Sequence, residues 1–183
     1  FQAQSWPGDY YIDIPFERGD DIAALRAHGD TLEVFGQSRI YLIIGQTALD
    51  FEVRPSAGSQ GGAFGPRAVT QIEDATFHAN ADDFHSYDGA SDRSLGFDIN
   101  PAVRDMVQNG ASTSLGRIAA VYDPLRTEVR VSVPRVYPTA ARGEWVLNLN
   151  RTRENNGQPA WTTTDRDIAF YIHFNGNEAA AGD

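Results

Sequence analysis

Ile118-Ala-Ala-Val-Tyr-Asp-Pro-Leu-Arg-Thr-Glu-Val-Arg-Val-Ser-Val-Pro134 is the stretch that decides the fold. It begins with an apolar run, Ile118 to Tyr122, and continues through Asp123-Pro124 into a segment, Glu128 to Val133, in which polar and apolar residues alternate. Proline fixes its own φ angle and biases the preceding residue away from helix, so Asp-Pro favours a turn. Alternation with a period of two buries one face of a strand. The stretch therefore predicts a β-hairpin.

Weaker versions of this unit recur along the chain. Short strand-like segments are separated by Gly, Asp, Asn and Pro at intervals of roughly 8–12 residues, which favours an all-β fold. Three of these units align when Leu25, Val69 and Val121 are taken as equivalent positions. These residues are separated by 44 and 52 positions along the chain. A unit of about 40–50 residues with three or four strands is typical of a β-propeller blade, and the alternative is a run of hairpins in one sandwich.

We therefore predict a single all-β domain over residues 1–183, built as a propeller-like array of three to four antiparallel blades. The approximate blade units are residues 10–54, 65–99, 115–150 and 160–175. Because most closed rings take roughly four to eight blades, we expect a partial propeller or a fragment of a longer protein. The chain begins without an initiator Met, which also favours a processed product or a piece of something longer.

One segment has a helical pattern. Asn100 is a suitable N-cap, Pro101 occupies the first helical position, and Gly110 follows the last turn. The sequence therefore predicts one short helix near residues 101–109.

Composition limits the class of protein. Hydrophobic residues make up 41% of the chain, which is enough for one domain with a sound core. The absence of cysteine excludes disulfides and thiolate metal ligands. The longest apolar clusters, such as residues 40–44, have the length of strands and fall far short of the ~18 apolar residues of a membrane helix. No membrane partner is predicted.

The charge distribution is unusual. All 15 basic residues are arginine, and 17 of the 25 acidic residues are aspartate, which gives a net charge of −10. A lysine-free, Asp-rich chain is typical of a GC-rich coding sequence, and adaptation to high salt is the alternative. The arginines are spread singly, so the chain is a poor non-specific ligand for nucleic acid.

The order of motifs resembles a known family. The motifs are Trp6-Pro-Gly-Asp-Tyr-Tyr-Ile-Asp-Ile14, Gly19-Asp-Asp-Ile-Ala-Ala-Leu25, Asp30-Thr-Leu-Glu-Val-Phe35, Arg39-Ile-Tyr-Leu-Ile43, Gly65-Pro-Arg-Ala-Val69, Tyr87-Asp-Gly89, Ala119-Ala-Val-Tyr-Asp123 and Trp145-Val-Leu-Asn-Leu149. Over residues 5–163 this order resembles tailed-phage virion proteins with β-propeller domains, namely the tail nozzle or tail tubular proteins and the packaged-DNA-stabilising tail proteins.

This resemblance implies a structural role without enzymatic activity. It places the protein in the virion, at the head–tail junction or tail, as part of a ring around the DNA channel. The implied partners are copies of the chain in a homo-oligomeric ring and other virion tail or connector proteins, with indirect contact to packaged DNA.

The chain departs from that family in two respects. Thr76, His78 and Asn80 are polar in a strand where bulky apolar residues are usual. The family members are also longer, so the resemblance implies a fragment or a short relative that closes its sheet by oligomerising.

The four histidines show no recognisable metal-site spacing. His78 and His85 are the closest pair, but several turn residues separate them and no third ligand has a fixed spacing from either. We therefore expect exposed or half-buried sheet residues, and we predict no catalytic, cofactor-binding or metal-binding residues and no cofactor. The acidic segment 80–92 lacks the Asp-x-Asp-x-Asp-Gly spacing of an EF-hand loop, so it predicts solvated turns, with Ca²⁺ binding as the alternative.

No enzyme motif is present. The sequence contains no Gly-x-Ser-x-Gly elbow, and the glycine-rich segment 55–66 lacks the Lys-Ser/Thr of a phosphate-binding loop, which leaves a flexible connector. The alternative function is a carbohydrate-binding or adhesin-type β module. Its sugar-stacking platform would come from Trp6, Tyr10, Tyr11, Trp145, Trp161 and Tyr171, although aromatics at strand spacing are more often core residues.

Overall fold

The computed structural model describes residues 12–17, 19–47, 50–96, 99, 118–133, 143–164 and 171. Within these ranges the protein is all-β, with three sheets of four antiparallel strands each and one short α-helix. Each sheet is a meander, in which every strand pairs with the strand that follows it in the chain. The predicted all-β class is confirmed, and so is the hairpin predicted from Ile118–Pro134.

The first sheet contains β1 (Ala24–His28), β2 (Thr31–Phe35), β3 (Ile40–Ile44) and β4 (Glu52–Pro55). Gly29 lies in the turn between β1 and β2 with a φ of +57°, a left-handed conformation that glycine adopts without steric cost. Alternation along β2 places Glu33 and Phe35 on the face that meets the second sheet, while Leu32 belongs to the outer face.

The second sheet contains β5 (Val69–Ile72), β6 (Ala75–Ala79), β7 (Phe84–Tyr87) and β8 (Asp92–Ser94), and a short 3₁₀ turn at Pro66–Ala68 precedes it. The Asn80 side-chain oxygen closes the β6–β7 turn, because it accepts hydrogen bonds from the backbone N–H groups of Asp82 and Asp83, both at 2.9 Å. This turn sets a register in which His78 lies opposite His85.

The third sheet contains β9 (Ala119–Asp123), β10 (Glu128–Val133), β11 (Gly143–Asn148) and β12 (Trp161–Thr164), with the helix α1 (Leu149–Glu154) between the last two strands. The Asn148 side chain caps α1 by accepting a hydrogen bond of 2.9 Å from the Arg151 N–H. This helix was not predicted; the sequence pattern predicts a strand over Gly143–Leu149, and the structure ends that strand at Asn148.

The sheets pack in chain order, with the second sheet in the middle. Strand β1 contacts β6, and β5 contacts β9. The core between the second and third sheets is apolar; it contains Ala68, Ile72, Phe77, Ala79, Phe84, Leu95, Ile118, Val129, Val131, Trp145, Leu147 and Leu149. A smaller apolar cluster links the first and second sheets; it contains Ala24, Phe35, Ile40, Ala63, Val69 and Tyr87.

Some boundaries differ from the prediction. Residues 12–14 are not in a strand, although the unit 10–54 was expected to open with one at 10–14. Trp161–Thr164 was not predicted as a strand; it pairs with β11 and so belongs to the third sheet, while the strand predicted at 168–174 in the unit 160–175 lies outside the described residues apart from Tyr171. The predicted helix near 101–109 lies outside the described residues. In the part of the chain that the structure describes, no helix has the length and apolar character needed to span a membrane.

Candidate functional site

The two faces of β6 meet different neighbours. Phe77 and Ala79 join the apolar core shared with the third sheet. Thr76 and His78 point to the first sheet, where the His78 ring lies 5.4 Å from the Phe35 ring and Thr76 contacts Glu33. All of these side chains are buried, and the most exposed of them, Thr76, is only 1% exposed. Thr76 and His78, two of the polar residues that the sequence analysis singled out, therefore line an interface between two sheets.

Strand pairing brings three ionisable side chains together in the second sheet. His78 and His85 are register partners on β6 and β7, and Asp92 stands beside them on β8. His78 Nε2 lies 3.1 Å from Asp92 Oδ1, and His85 Nδ1 lies 3.3 Å from the same oxygen. All three side chains are buried. We call His78, His85 and Asp92 the His–Asp cluster.

The surroundings of Asp92 favour its ionised form. Burial opposes ionisation, but the hydrogen bond from His78 and the proximity of His85 outweigh it, so the pKa of Asp92 is lowered. Its second oxygen, Oδ2, accepts a 2.7 Å hydrogen bond from the backbone N–H of Gln60. Both carboxylate oxygens therefore have partners, and both act as acceptors.

The hydrogen-bond network assigns the protons of His78. Its Nδ1 lies 2.8 Å from the Gly62 carbonyl oxygen, which can only accept, so Nδ1 carries a hydrogen. Its Nε2 lies 3.1 Å from Asp92 Oδ1. Two lone pairs would repel each other at this distance, so a proton or a metal cation must lie between Nε2 and Oδ1.

His85 is the incompletely satisfied member of the cluster. Neither of its ring nitrogens has a hydrogen-bond partner, although its Nδ1 is within ion-pair distance of Asp92 Oδ1. The angle at that contact does not meet hydrogen-bond geometry, so the short distance is an electrostatic contact. A buried imidazole without hydrogen bonds is costly, because it has lost its contacts with water and gained none in return.

The expectation that His78 and His85 are isolated, exposed or half-buried residues is wrong. The β6–β7 register places them directly opposite each other, with ring centroids 5.0 Å apart and an angle of 15° between the ring planes. Both are buried, and Asp92 supplies the third donor that the sequence spacing did not reveal.

A second buried polar group crosses the same interface. Glu33 on β2 accepts a 2.7 Å hydrogen bond from the Thr76 hydroxyl, and its other oxygen lies 3.0 Å from His28 Nδ1. Arg26 on β1 also reaches across and donates to the Val69 carbonyl oxygen at 2.5 Å. The first and second sheets are thus joined by specific polar contacts in addition to their small apolar cluster.

The glycine-rich segment 55–66 is part of this interface rather than the flexible connector that we predicted. Gln60 and Gly62 contact Asp92 and His78, as described above, and Ala63 N–H donates to the Gly36 carbonyl oxygen at 2.8 Å. A Cβ atom on Gly62 would lie 1.9 Å from the Gly36 oxygen, so only glycine permits this close approach.

The acidic segment 80–92 forms turns on both sides of β7, as predicted, but Asp83 and Asp92 are buried rather than solvated, and Asp92 belongs to β8. Asp88 Oδ1 accepts hydrogen bonds from the backbone N–H groups of Ser91 and Ala90 at 2.7 and 3.0 Å, and these bonds lower the pKa of Asp88. Asp83 accepts hydrogen bonds from the Phe84 N–H and from the Ser94 hydroxyl.

Across the described ranges, the His–Asp cluster is the one group of three or more His, Asp or Glu side chains whose potential metal-binding atoms lie close together. The described acidic side chains of this segment do not converge as a calcium-binding set.

The aromatic residues do not form an exposed platform where they are described. Trp145 is buried, with its ring 5.4 Å from that of Phe84, and the half-buried Trp161 ring lies 5.3 Å from Phe84. Trp161 Nε1 donates to the Leu95 carbonyl oxygen at 2.6 Å. Tyr171 is half-buried and its hydroxyl donates to Glu144. Trp6, Tyr10 and Tyr11 lie outside the described residues. The core interpretation is confirmed for Trp145 and Trp161.

An open groove of about 630 Å³ lies beside the interface between the first and second sheets. Its lining is mainly polar; it includes Gln37, Arg39, Ser56, Gln60 and Asn80. Among the described residues that line it none is aromatic, so the groove lacks the stacking surface that sugars prefer.

A signal for the His–Asp cluster was present in the sequence. Thr76, His78 and Asn80 occupy alternate positions of a strand whose other face is apolar, which places three polar side chains on one buried face. Buried polar groups need partners, so this pattern predicts a polar network. The identity of the partners depends on the register and on the adjacent loop, which the pattern alone does not give.

Comparison with protein-family models and with curated proteins gives no match for this chain.

Proposed function

We propose that the chain is a non-enzymatic structural component of a tailed-virus particle, located at the head–tail junction or tail. Its sheets are blades of a propeller-like array, and the array assembles with copies of itself and with neighbouring tail proteins around the DNA channel. The observation that carries the proposal is the series of three four-stranded meanders packed in chain order. Serial meanders of this kind are the building principle of propellers, and the motif order resembles phage tail proteins.

The character of the interfaces supports a structural role. The His–Asp cluster and Glu33 are buried between sheets, where a substrate cannot reach them. The hydrogen bonds of Glu33 with Thr76 and of His78 with Gly62 fix the local packing, because each forms in one arrangement only. The buried polar groups are therefore assigned to blade packing rather than to catalysis.

The outer face of the first sheet supports assembly. Leu25, Leu32, Ile43 and Val53 share this face, and Leu25 is 53% exposed while the other three are half-buried. An apolar face at the end of a blade array is suited to pack against another blade. We assign it to a second copy of the chain, because a repeated head-to-tail contact closes into a ring when the rotation permits.

The acidic body is consistent with a ring whose contact with packaged DNA is indirect. The net charge of −10 disfavours direct phosphate binding.

Substituting Leu25 tests the assembly. We expect the wild-type chain to form closed oligomers, visible as rings by negative-stain microscopy and as one discrete mass by mass photometry. Leu25→Asp places a charge in the apolar contact, so it shifts the population to monomers while the circular dichroism spectrum stays unchanged.

Leu125→Asp is the matched control. Leu125 lies in the β9–β10 turn and is 95% exposed, so its substitution leaves the oligomer intact. A wild-type chain that is monomeric at all accessible concentrations, or a Leu25→Asp variant that still assembles, contradicts the proposed self-assembly.

A further inference from the structure

Two imidazoles and one carboxylate converge in the interior of the second sheet. Their ligand atoms all lie within 4.8 Å of one another, and each of the three side chains comes from a different strand. We propose that the His–Asp cluster is a structural binding site for a divalent transition metal of the zinc class, with His78 Nε2, His85 Nδ1 and Asp92 Oδ1 as protein ligands. This site is separate from the proposed assembly role and does not depend on it.

The distances between the donor atoms suit a tetrahedral ion. With metal–ligand bonds of about 2.0–2.2 Å, neighbouring ligand atoms of a tetrahedron are about 3.3–3.6 Å apart. The observed separations from Asp92 Oδ1 are 3.1 Å to His78 Nε2 and 3.3 Å to His85 Nδ1. Two of the three separations therefore match a tetrahedral ion, and the third, between the two imidazole nitrogens, is bounded at 4.8 Å and closes by rotation of the side chains.

The surroundings of the cluster orient the donors. A metal-binding histidine usually donates its other ring N–H to a carbonyl or carboxylate, which fixes the tautomer and the ring orientation. His78 does so, because its Nδ1 donates to the Gly62 carbonyl oxygen. The free oxygen of Asp92 is likewise held by the Gln60 N–H. Both supporting groups come from the glycine-rich segment 55–66.

A metal accounts for the least satisfied donor atom of the site. His85 is 3% exposed, neither of its ring nitrogens has a hydrogen-bond partner, and its Nδ1 lies 3.3 Å from Asp92 Oδ1. A cation bound between Nδ1, Asp92 Oδ1 and His78 Nε2 gives Nδ1 a partner, whereas a proton shared between His78 and Asp92 leaves Nδ1 with none; Nε2 of His85 has no partner in either case. The orphaned Nδ1 of the buried His85 is the observation that favours the metal over the proton.

The donor set selects the class of metal. Imidazole nitrogens suit zinc and other late first-row ions, whereas Ca²⁺ and Mg²⁺ prefer sets made of oxygen. Three protein ligands leave one tetrahedral position for water. Because the cluster is buried, the ion ties β6, β7 and β8 together and serves no substrate.

Metal titration of the whole chain tests the site. The protein is unfolded in chelator, then refolded in metal-free buffer or with Zn²⁺ or Co²⁺, so that access to the buried site is not limiting. We expect one ion per chain by elemental analysis, visible absorption of tetrahedral Co²⁺ that Zn²⁺ displaces, and a higher melting temperature in the refolded zinc form.

The variants His85→Gln and His28→Gln form a matched pair. His85 has no hydrogen bond to lose, so His85→Gln retains the fold, whereas its affinity for Zn²⁺ falls at least about tenfold and the Co²⁺ absorption disappears. His28 lies outside the cluster, and glutamine there can still donate to Glu33, so His28→Gln keeps full metal binding. A wild-type chain that binds no ion after refolding with metal overturns the proposal, and so does a His85→Gln variant that binds as tightly as wild type. If His85→Gln fails to fold, the metal content of the wild-type chain decides alone.

Discussion

Phe84→Ala lowers the free energy of unfolding by about 3–5 kcal/mol, the range typical of removing a large buried aromatic side chain. Phe84 is fully buried, and its ring lies between those of Phe77, Trp145 and Trp161, at centroid distances of 5.7, 5.4 and 5.3 Å. The first of these belongs to the second sheet and the other two to the third. The substitution therefore leaves a cavity in the core that the two sheets share.

Urea denaturation followed by tryptophan fluorescence and by far-UV circular dichroism measures this loss. In a Trp6→Phe background the remaining tryptophans, Trp145 and Trp161, report on the third sheet, while dichroism reports on all strands, so coincident transitions show that the sheets unfold together. Leu125→Ala, at a position that is 95% exposed, is the control and changes the free energy by less than about 0.5 kcal/mol. A loss below about 1 kcal/mol for Phe84→Ala contradicts a shared core.

Arg130→Met lowers the free energy of unfolding by a similar amount, about 3–5 kcal/mol, because it leaves a buried carboxylate without its cation. Arg130 Nη1 lies 3.2 Å from both oxygens of Glu144, whose side chain is 1% exposed. Its Nη2 contacts Glu128 at 2.8 Å. The Tyr171 hydroxyl also donates to Glu144 at 3.1 Å, and burial raises the pKa of that hydroxyl, but a neutral donor does not replace the lost charge.

The double variant Arg130→Met/Glu144→Leu separates charge burial from packing. Removing both charges recovers most of the loss, since an apolar pair of similar volume is often as stable as a buried ion pair. Arg126→Met is the control, because Arg126 is exposed and its nearest carboxylate oxygen, on Asp123, is 3.9 Å away. Urea denaturation measures the free energy of unfolding of both variants. If the single and the double variant lose the same amount, the ion pair does not determine the stability of the third sheet.

The sequence predicts the strands well where the information is local. The hairpin of β9 and β10 follows from the alternation in Glu128–Val133 and from the turn chemistry of Asp123-Pro124. The side chain of Asp123 indeed accepts hydrogen bonds from the N–H groups of Leu125 and Arg126. Such signals lie within a few residues of each other, so no tertiary information is needed to interpret them.

The candidate site depends on non-local information that the pattern does not contain. His78 and His85 meet only because the turn closed by Asn80 sets one register, and a slip of one residue would move His85 to the other face. Asp92 joins them from a third strand, and the glycine-rich segment supplies its contacts through backbone atoms. Backbone donors and acceptors are common to nearly all residue types, so sequence patterns do not identify them.

The two sheet interfaces differ in the polar groups that they contain. The second and third sheets share a large apolar core, whereas the first and second sheets combine a smaller apolar cluster with the Thr76–Glu33 hydrogen bond and the contact of Arg26 with Val69. Apolar contacts tolerate small displacements, while a buried polar group is satisfied only in one geometry. The polar contacts therefore fix the position of the first sheet against the second.

Quantitative mass spectrometry of purified particles tests the structural assignment most directly. Tailed-virus particles from cells that carry this reading frame are banded on a density gradient, and peptides of the chain are compared with those of capsid and portal proteins. We predict that the peptides co-fractionate with both proteins at a constant ratio across the particle band. Particles that contain capsid and portal proteins but lack peptides of this chain would contradict a role in the virion.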